Sequence, residues 1–414
     1  MLTVLATLRA AVFGRGVPAH GVPAFGGLRL ARGPLASFVA MGVLWGCFAA
    51  DLPDIKTMLD LSETELGLLL FMTPIAAMGA MVAAPLIGQA LGRWALPVTT
   101  AVMAAAFALP GQASVWWWFP VAMLACGAGT GALDVLMNTR VAMLEAAPGG
   151  RPIMNLCFAG YSFGYAGGAL GAGQLRALGW GPDWVMGAMA LVAVLLAVAS
   201  VEADGRIEGL ARPKGGAATG LGWVPVLGGA VVLIAFLTEN ASENWSALFI
   251  EQDLGGTPVL GALGPASLAL TMGCARLAGQ GLASRFRPGT LLVGGALIAA
   301  CGALAAAMAA TPAAAYAGFI VMGIGGSVIS PTTFGLVGAL ARPEARARAV
   351  ARATMLGYFG YFVGPPGVGF IAGAFGLRAA FVLVALMLLV VPILARLLAA
   401  AAQADGQPAG ASGL

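Results

Sequence analysis

The sequence predicts an all-α polytopic membrane protein, with twelve transmembrane helices in two pseudo-symmetric six-helix halves. Three observations carry this. Charged residues make up 9% of the chain and hydrophobic residues 60%, with a mean hydropathy of +0.93. Soluble domains hold about 25% charged residues, so there is too little polar surface here to clothe a water-soluble core. Apolar runs of about 20 residues, the length that crosses a bilayer as a helix, recur from Pro34 to Leu398. Third, the chain repeats itself. Phe163-Gly164-Tyr165, Gly168, Gly171 and Gly173 return 196 residues on as Phe359-Gly360-Tyr361, Gly364, Gly367 and Gly369. Gly127 and Gly129 return as Gly323 and Gly325 at the same offset. A repeat of that length is half a protein.

Residues 1–33 are irregular, glycine-rich and free of acids, and lack the pattern of a signal peptide. They read as a cytoplasmic tail, with an organellar transit peptide as the alternative. The N-terminal half, 34–201, holds spans at 35–58, 65–90, 95–111, 115–139, 153–174 and 184–201. Residues 202–221 are the longest polar stretch and the natural linker. The C-terminal half, 222–398, holds spans at 222–246, 257–281, 290–309, 314–340, 349–374 and 378–398, and 399–414 form a second tail. Basic residues crowd on the side of the termini, among them Arg93, Arg140, Arg151, Arg285 and the run from Arg342 to Arg352. The opposite side has Lys56, Arg176 and Arg378. The positive-inside rule then places both termini in the cytoplasm, and the expected location is the cell (inner) membrane.

Several chemistries are disfavoured. The five cysteines fall in apolar segments without a CxxC pair, and the one histidine, His20, lies in the tail. No disulfide framework, metal site or histidine relay is indicated. Both lysines lack a phosphate-loop context, so no ATP motor is expected. The loops show no basic cluster suited to nucleic acid. Glycine runs such as Gly323-Ile324-Gly325-Gly326 read as close helix packing rather than nucleotide loops. Trp116-Trp117-Trp118 reads as an interfacial aromatic belt.

The polar residues inside the spans are the informative ones. Asp134 and Asn138 stand four apart on one helix face, with Gly127 and Gly131 on that face too. A carboxylate in a spanning helix is costly and usually meets a cavity or a partner. A salt bridge to a buried arginine is one reading; a proton-carrying group is the other, because burial disfavours the charged form. Asp51 reads as a solvated helix end, and Asp54 stays open between that and a cavity role. Glu239 is deeper than Glu243, which is expected at the outer surface. Arg276 either snorkels to the interface or pairs with Asp134 or another acid. Asn155, Tyr161 and Tyr165 in the fifth span, Ser330 in the tenth and Tyr358 and Tyr361 in the eleventh suit contacts to a sugar-like solute, and helix packing is the alternative use of the same residue types. Gly364-Pro365-Pro366 breaks the backbone ladder and supplies a bend for gating.

At this point the chain resembles the major facilitator superfamily. Twelve spans, a central linker and the repeat carry the likeness. The family's Gly-x-x-x-Asp-Arg-x-Gly-Arg signature after the second span survives only as Gly92-Arg93, with Gln89 at the Asp position. That leaves Arg93 as the remaining gate residue. Within the superfamily the chain resembles the fucose–proton symporter branch and its bacterial relatives. The shared marks are Trp45-Gly46 with Asp54-Ile55, Asp134 with Asn138, Arg151-Pro152-Ile153-Met154, and Gly364-Pro365-Pro366. The resemblance implies that Asp54 and Asp134 take part in proton and substrate handling. The expectation is a transporter rather than an enzyme, without cofactor, moving a small polar solute with protons as a monomer in the bilayer. Asp134, Asp54 and Glu239 are the proton-coupling candidates. Asn138, Asn155, Tyr161, Tyr165, Ser330 and Tyr361 are the solute contacts, and Arg93, Arg276, Gly364, Pro365 and Pro366 the gate. An efflux antiporter is the alternative within the class, and a transporter-like sensor the alternative outside it.

Overall fold

The computed structural model describes residues 24–147, 153–207, 222–283, 286–341 and 346–404. Expectations resting on His20 and the rest of 1–23, on Arg151 and Pro152, on 208–221, on Arg285, on Arg342 and on 405–414 lie outside the described residues. The described chain is helical throughout and without strands. Its helices are α1 (Ala24–Met58), α2 (Glu63–Leu70), α3 (Met72–Leu91), α4 (Ala95–Phe107), α5 (Trp118–Ala146), α6 (Met154–Ala177) and α7 (Pro182–Ala199). They continue as α8 (Val224–Leu248), α9 (Pro258–Ala283), α10 (Pro288–Ala307), α11 (Pro312–Gly326), α12 (Ile329–Leu340), α13 (Arg346–Phe375) and α14 (Leu377–Ala404).

Nine segments among the described residues are long and apolar enough to cross a membrane. One of them, Glu63–Gln112, is 50 residues long and turns at Gly92–Trp94, so it holds two crossings. Helices α6 and α13, whose glycines and polar side chains dilute their hydropathy, bring the crossings to twelve. The second crossing is α2 with α3, and the tenth is α11 with α12. The distal end of the bundle is the one at which α1 ends, at Met58, opposite Ala24 and Ala404.

Boundaries differ from the sequence expectation where packing or caps override composition. Helix α1 starts at Ala24, inside the stretch read as an irregular tail. Its Ala31 is fully buried and its Arg32 donates to the Val201 carbonyl, contacts that outweigh the poor propensity of Gly33 and Pro34. Helix α2 opens on a capping box, in which the Ser62 hydroxyl accepts from Glu65 N–H and the Glu65 carboxylate accepts from Ser62 N–H. Helix α5 runs seven residues past the expected 139, α14 continues into the stretch read as a tail, and α8 passes into a π-helical turn, Phe249–Asp253. The expected break at Pro365-Pro366 is absent, since α13 runs unbroken from Arg346 to Phe375. The sharp reversal into α14 falls at Gly376, whose φ of 86° is open to glycine at little cost.

Small residues bring the helices together, and they do so twice. A Cβ on Gly129 of α5 would stand 2.9 Å from Met103 of α4, and one on Gly325 of α11 would stand 2.4 Å from the backbone of Ala299 of α10. Both pairs keep the 196-residue offset. Gly164 of α6 faces the Val39 backbone of α1, as Gly360 of α13 faces the Leu233 backbone of α8. The first crossing thus seats on the fifth as the seventh seats on the eleventh. Lipid supplies no hydrophobic drive between helices, so this close approach does the packing.

Candidate functional site

Two polar layers lie between the halves. The first is at mid-depth. Helix α5 carries Asp134, which is half-buried. Asn138 Nδ2, one turn on, donates to Asp134 Oδ1 at 3.0 Å and to the Asp134 carbonyl at 2.9 Å. The Tyr358 hydroxyl, from α13 in the other half, donates to Asp134 Oδ2 at 2.9 Å. Among the described residues no arginine forms an ion pair with Asp134. Tyr358 belongs to an aromatic group in which Phe236 of α8 stacks on Tyr361 at 5.0 Å between centroids. Tyr358 lies 5.8 Å from Phe236 and 5.9 Å from Tyr361. Opposite them, Tyr161 and Tyr165 of α6 are 6.0 Å apart. Gly42 and Gly46 of α1 set that pair, since their α-carbons approach the carbonyls of Tyr161 and Tyr165 so closely that no side chain fits.

Arg276 of α9 does not snorkel away. Its Nη2 donates to Glu239 Oε1 of α8 at 3.0 Å, and its Nη1 to Ser162 Oγ of α6 at 3.3 Å, so it ties the two halves. Glu243 is half-buried, one turn from Glu239, rather than at the surface.

The second layer is at the distal end, and sequence reasoning largely missed it. Arg176, read as a loop charge, lies inside α6 and is 5% exposed. It pairs with Asp54 of α1, Nη2 to Oδ1 at 2.6 Å, and with Glu251 of the π-helical turn, Nη1 to Oε1 at 2.7 Å. Asp51, read as a solvated helix end, is fully buried at 3.6 Å from Arg176 Nε. The expected end of the seventh span, at 246, excluded Glu251 from view; the spacing of Asp51, Asp54 and Arg176 near the distal ends of their spans was the available signal. Beside this cluster Lys56 donates to Gln252 at 3.4 Å and pairs with Glu63 at 2.9 Å. Thr64 of α2 donates to the Gly369 carbonyl of α13 at 3.4 Å, and Gly67 packs on the Pro365 carbonyl. Gly364-Pro365-Pro366 thus sits at the α2–α13 seam, with Gly364 facing Asn240 Oδ1.

The other candidates stand apart from these contacts. Asn155 is exposed in the first turn of α6, and Ser330 is half-buried in the first turn of α12. Arg93 is exposed after α3, its guanidinium 5.2 Å from the Trp94 ring centroid. Arg140, counted as a cytoplasmic loop charge, is buried in α5. It pairs with Glu202 at 2.9 Å and donates to the carbonyls of Asp204 and Arg206. Among the described residues no cluster of His, Cys, Asp and Glu is arranged to hold a metal ion.

Comparison with known proteins agrees with this architecture. The sequence profile of the Major Facilitator Superfamily matches residues 228–412. An uncharacterised MFS-type transporter of Yersinia pestis is 32% identical over 369 residues, which is 87% of this chain and 94% of that protein. Among solved structures, a bacterial homologue of the human lysosomal transporter Spinster, inward-facing and occupied, superposes with a TM-score of 0.71 at 15% identity, covering 94% of this chain and 99% of the other. The transporter FucP in its outward conformation gives 0.55 at 18% identity over 88% and 98%.

Proposed function

The chain belongs to the major facilitator superfamily of membrane transporters, and from that premise we propose that it is a proton-coupled symporter of a small polar solute, a sugar or sugar derivative. It is a transporter and not an enzyme. The observation that carries the coupling reading is the bond from Tyr358 to Asp134. A titratable carboxyl on one half is held by a hydroxyl from the other, so its protonation and the relation of the halves are linked. Asp134 is the main proton carrier, with Asp54 and Glu239 as the further acids. Tyr161, Tyr165 and Tyr361 offer aromatic faces to the solute and Asn138 offers hydrogen bonds at this layer, while Asn155 and Ser330, apart from it, offer hydrogen bonds elsewhere on the solute's path. Rocking of 34–201 against 222–398 about this layer, joined by the 202–221 linker, alternates access. Arg276 with Glu239, the Gly364–Pro366 seam and Arg93 form the gates. In this reading the distal end faces outward, both termini lie in the cytoplasm, and a monomer works in the inner membrane.

Uptake into proteoliposomes under an inward proton gradient tests this, with a panel of sugars and sugar acids as solutes. Asp134→Asn should abolish gradient-driven accumulation while leaving solute exchange without a gradient. Full accumulation by the variant refutes the coupling role. Proton flux opposite in sense to solute flux marks an antiporter instead.

A further inference from the structure

One buried carboxyl at the distal seam has no donor. Arg176 carries five N–H groups. Nε and one Nη2 hydrogen go to Asp54, at 2.8 and 2.6 Å. The other Nη2 hydrogen and one Nη1 hydrogen go to Glu251, at 2.8 and 2.7 Å. The last goes to the Ala50 carbonyl at 2.6 Å. The guanidinium is fully used. Asp51 lies beside it, 0% exposed, and neither of its carboxyl oxygens has a hydrogen-bond partner. Ionised, it would be the third carboxylate on one guanidinium, and Asp183 of α7 adds a further negative charge nearby. On its own helix, Cys47 directs a thiol toward the Val185 carbonyl, and Lys56 is engaged by Glu63 and Gln252. Among the described residues its one ion-pair partner is Arg176 Nε, 3.6 Å away and already committed to Asp54, and a buried carboxylate without a hydrogen-bond donor is resolved by taking up a proton.

The four groups divide unequally between the halves. Asp51, Asp54 and Arg176 belong to the N-terminal half and move together. Glu251 alone comes from the other half. We propose that Asp51 is a proton-loading site that controls the distal seam. Protonated, it leaves all five Arg176 donors to Asp54, Ala50 and Glu251, and the seam closes. Ionised, it draws N–H groups away from Glu251, the one acid free to leave, and the seam opens. The proton enters from the distal aqueous phase while the seam is open, and only the O–H bond forms. The inference rests on the alternating-access reading above and adds a site separate from Asp134.

The test places spin labels on the exposed Thr57 and Thr257, on either side of the seam, each changed to Cys. The exposed Cys274 and Cys301 are changed to Ala, while Cys47, Cys126 and Cys157 are buried. Inter-label distances are measured in nanodiscs without solute or gradient, from acid to alkaline pH. The short distance should dominate in acid and give way to a longer one as pH rises. Asp51→Asn, neutral at every pH, should stay short throughout. A wild type whose distances ignore pH, or an Asp51→Asn protein that keeps the full pH response, overturns the proposal. Should Asp51→Asn not fold, Asp51→Ser carries the same expectation. Glu251→Gln should favour the long distance at all pH values, and a variant as closed as wild type also overturns it. Because no solute or gradient is used, failure here leaves the Asp134 coupling role standing, and accumulation by Asp134→Asn leaves Asp51 standing.

Discussion

Gly46→Ala should damage the protein far more than its single added methyl suggests. The new Cβ would stand 1.9 Å from the Tyr165 carbonyl oxygen, 2.7 Å from its carbon and 2.9 Å from its α-carbon. All three are backbone atoms of α6, so no rotamer change relieves the contact. Ordinary contact begins near 3.4 Å, so the two backbones must part by about 1.5 Å (3.4 minus 1.9). Overpacking of this kind typically costs about 1–3 kcal/mol. The displacement falls on Tyr165 itself, so solute affinity should drop along with stability. Gly79→Ala in α3 is the control, because nothing lies within 4 Å of its Cβ position. It should stay within about 0.5 kcal/mol of the parent. Thermal midpoints in detergent, followed by size-exclusion fluorescence, report stability; a solute thermal-shift series reports binding. Equal midpoints for the two variants would refute the close-packing account of the α1–α6 contact.

Other expectations concern the ends of the bundle. Glu202→Ala leaves the buried Arg140 without its carboxylate and should cost about 3–5 kcal/mol, with hydrogen exchange rising in 202–206 if the pair anchors that segment. Ser62→Ala removes one side of the capping box and should cost about 0.5–2 kcal/mol, seen as a lowered midpoint with the solute profile unchanged. Arg276→Lys keeps the charge but not the fork that reaches both Glu239 and Ser162, so solute KM should rise more than kcat falls.

The spans were legible because hydropathy and length decide them, and the repeat was legible because Phe-Gly-Tyr stands out even in a glycine-rich chain. Asp134 and Asn138 were legible as a pair because a four-residue spacing on a helix fixes proximity. Its partner Tyr358 lies 224 residues away, and no local pattern encodes that. The distal layer was hidden for a different reason. Asp51, Arg176 and Glu251 sit where a span meets its loop, and one helical turn decides whether such a charge is solvated or enclosed. Spans ended at 174 and 246 stop before that turn for Arg176 and Glu251, whereas Asp51 lay inside the expected span 35–58 and only its enclosure was misjudged. Arg140 misled in the same way, since helix α5 continues past it to Ala146.

The matched glycines carry a consequence for how such a molecule can change over time. Gly129 and Gly325 are held in place by backbone atoms that leave no room for a side chain, and so are Gly164 and Gly360. Steric necessity of this kind restrains both copies equally, whatever the solute. The polar positions carry no such restraint: Asp134 in one half corresponds, at the same offset, to Ser330 in the other. Selection can therefore rewrite the polar residues of one half without disturbing the frame that holds both.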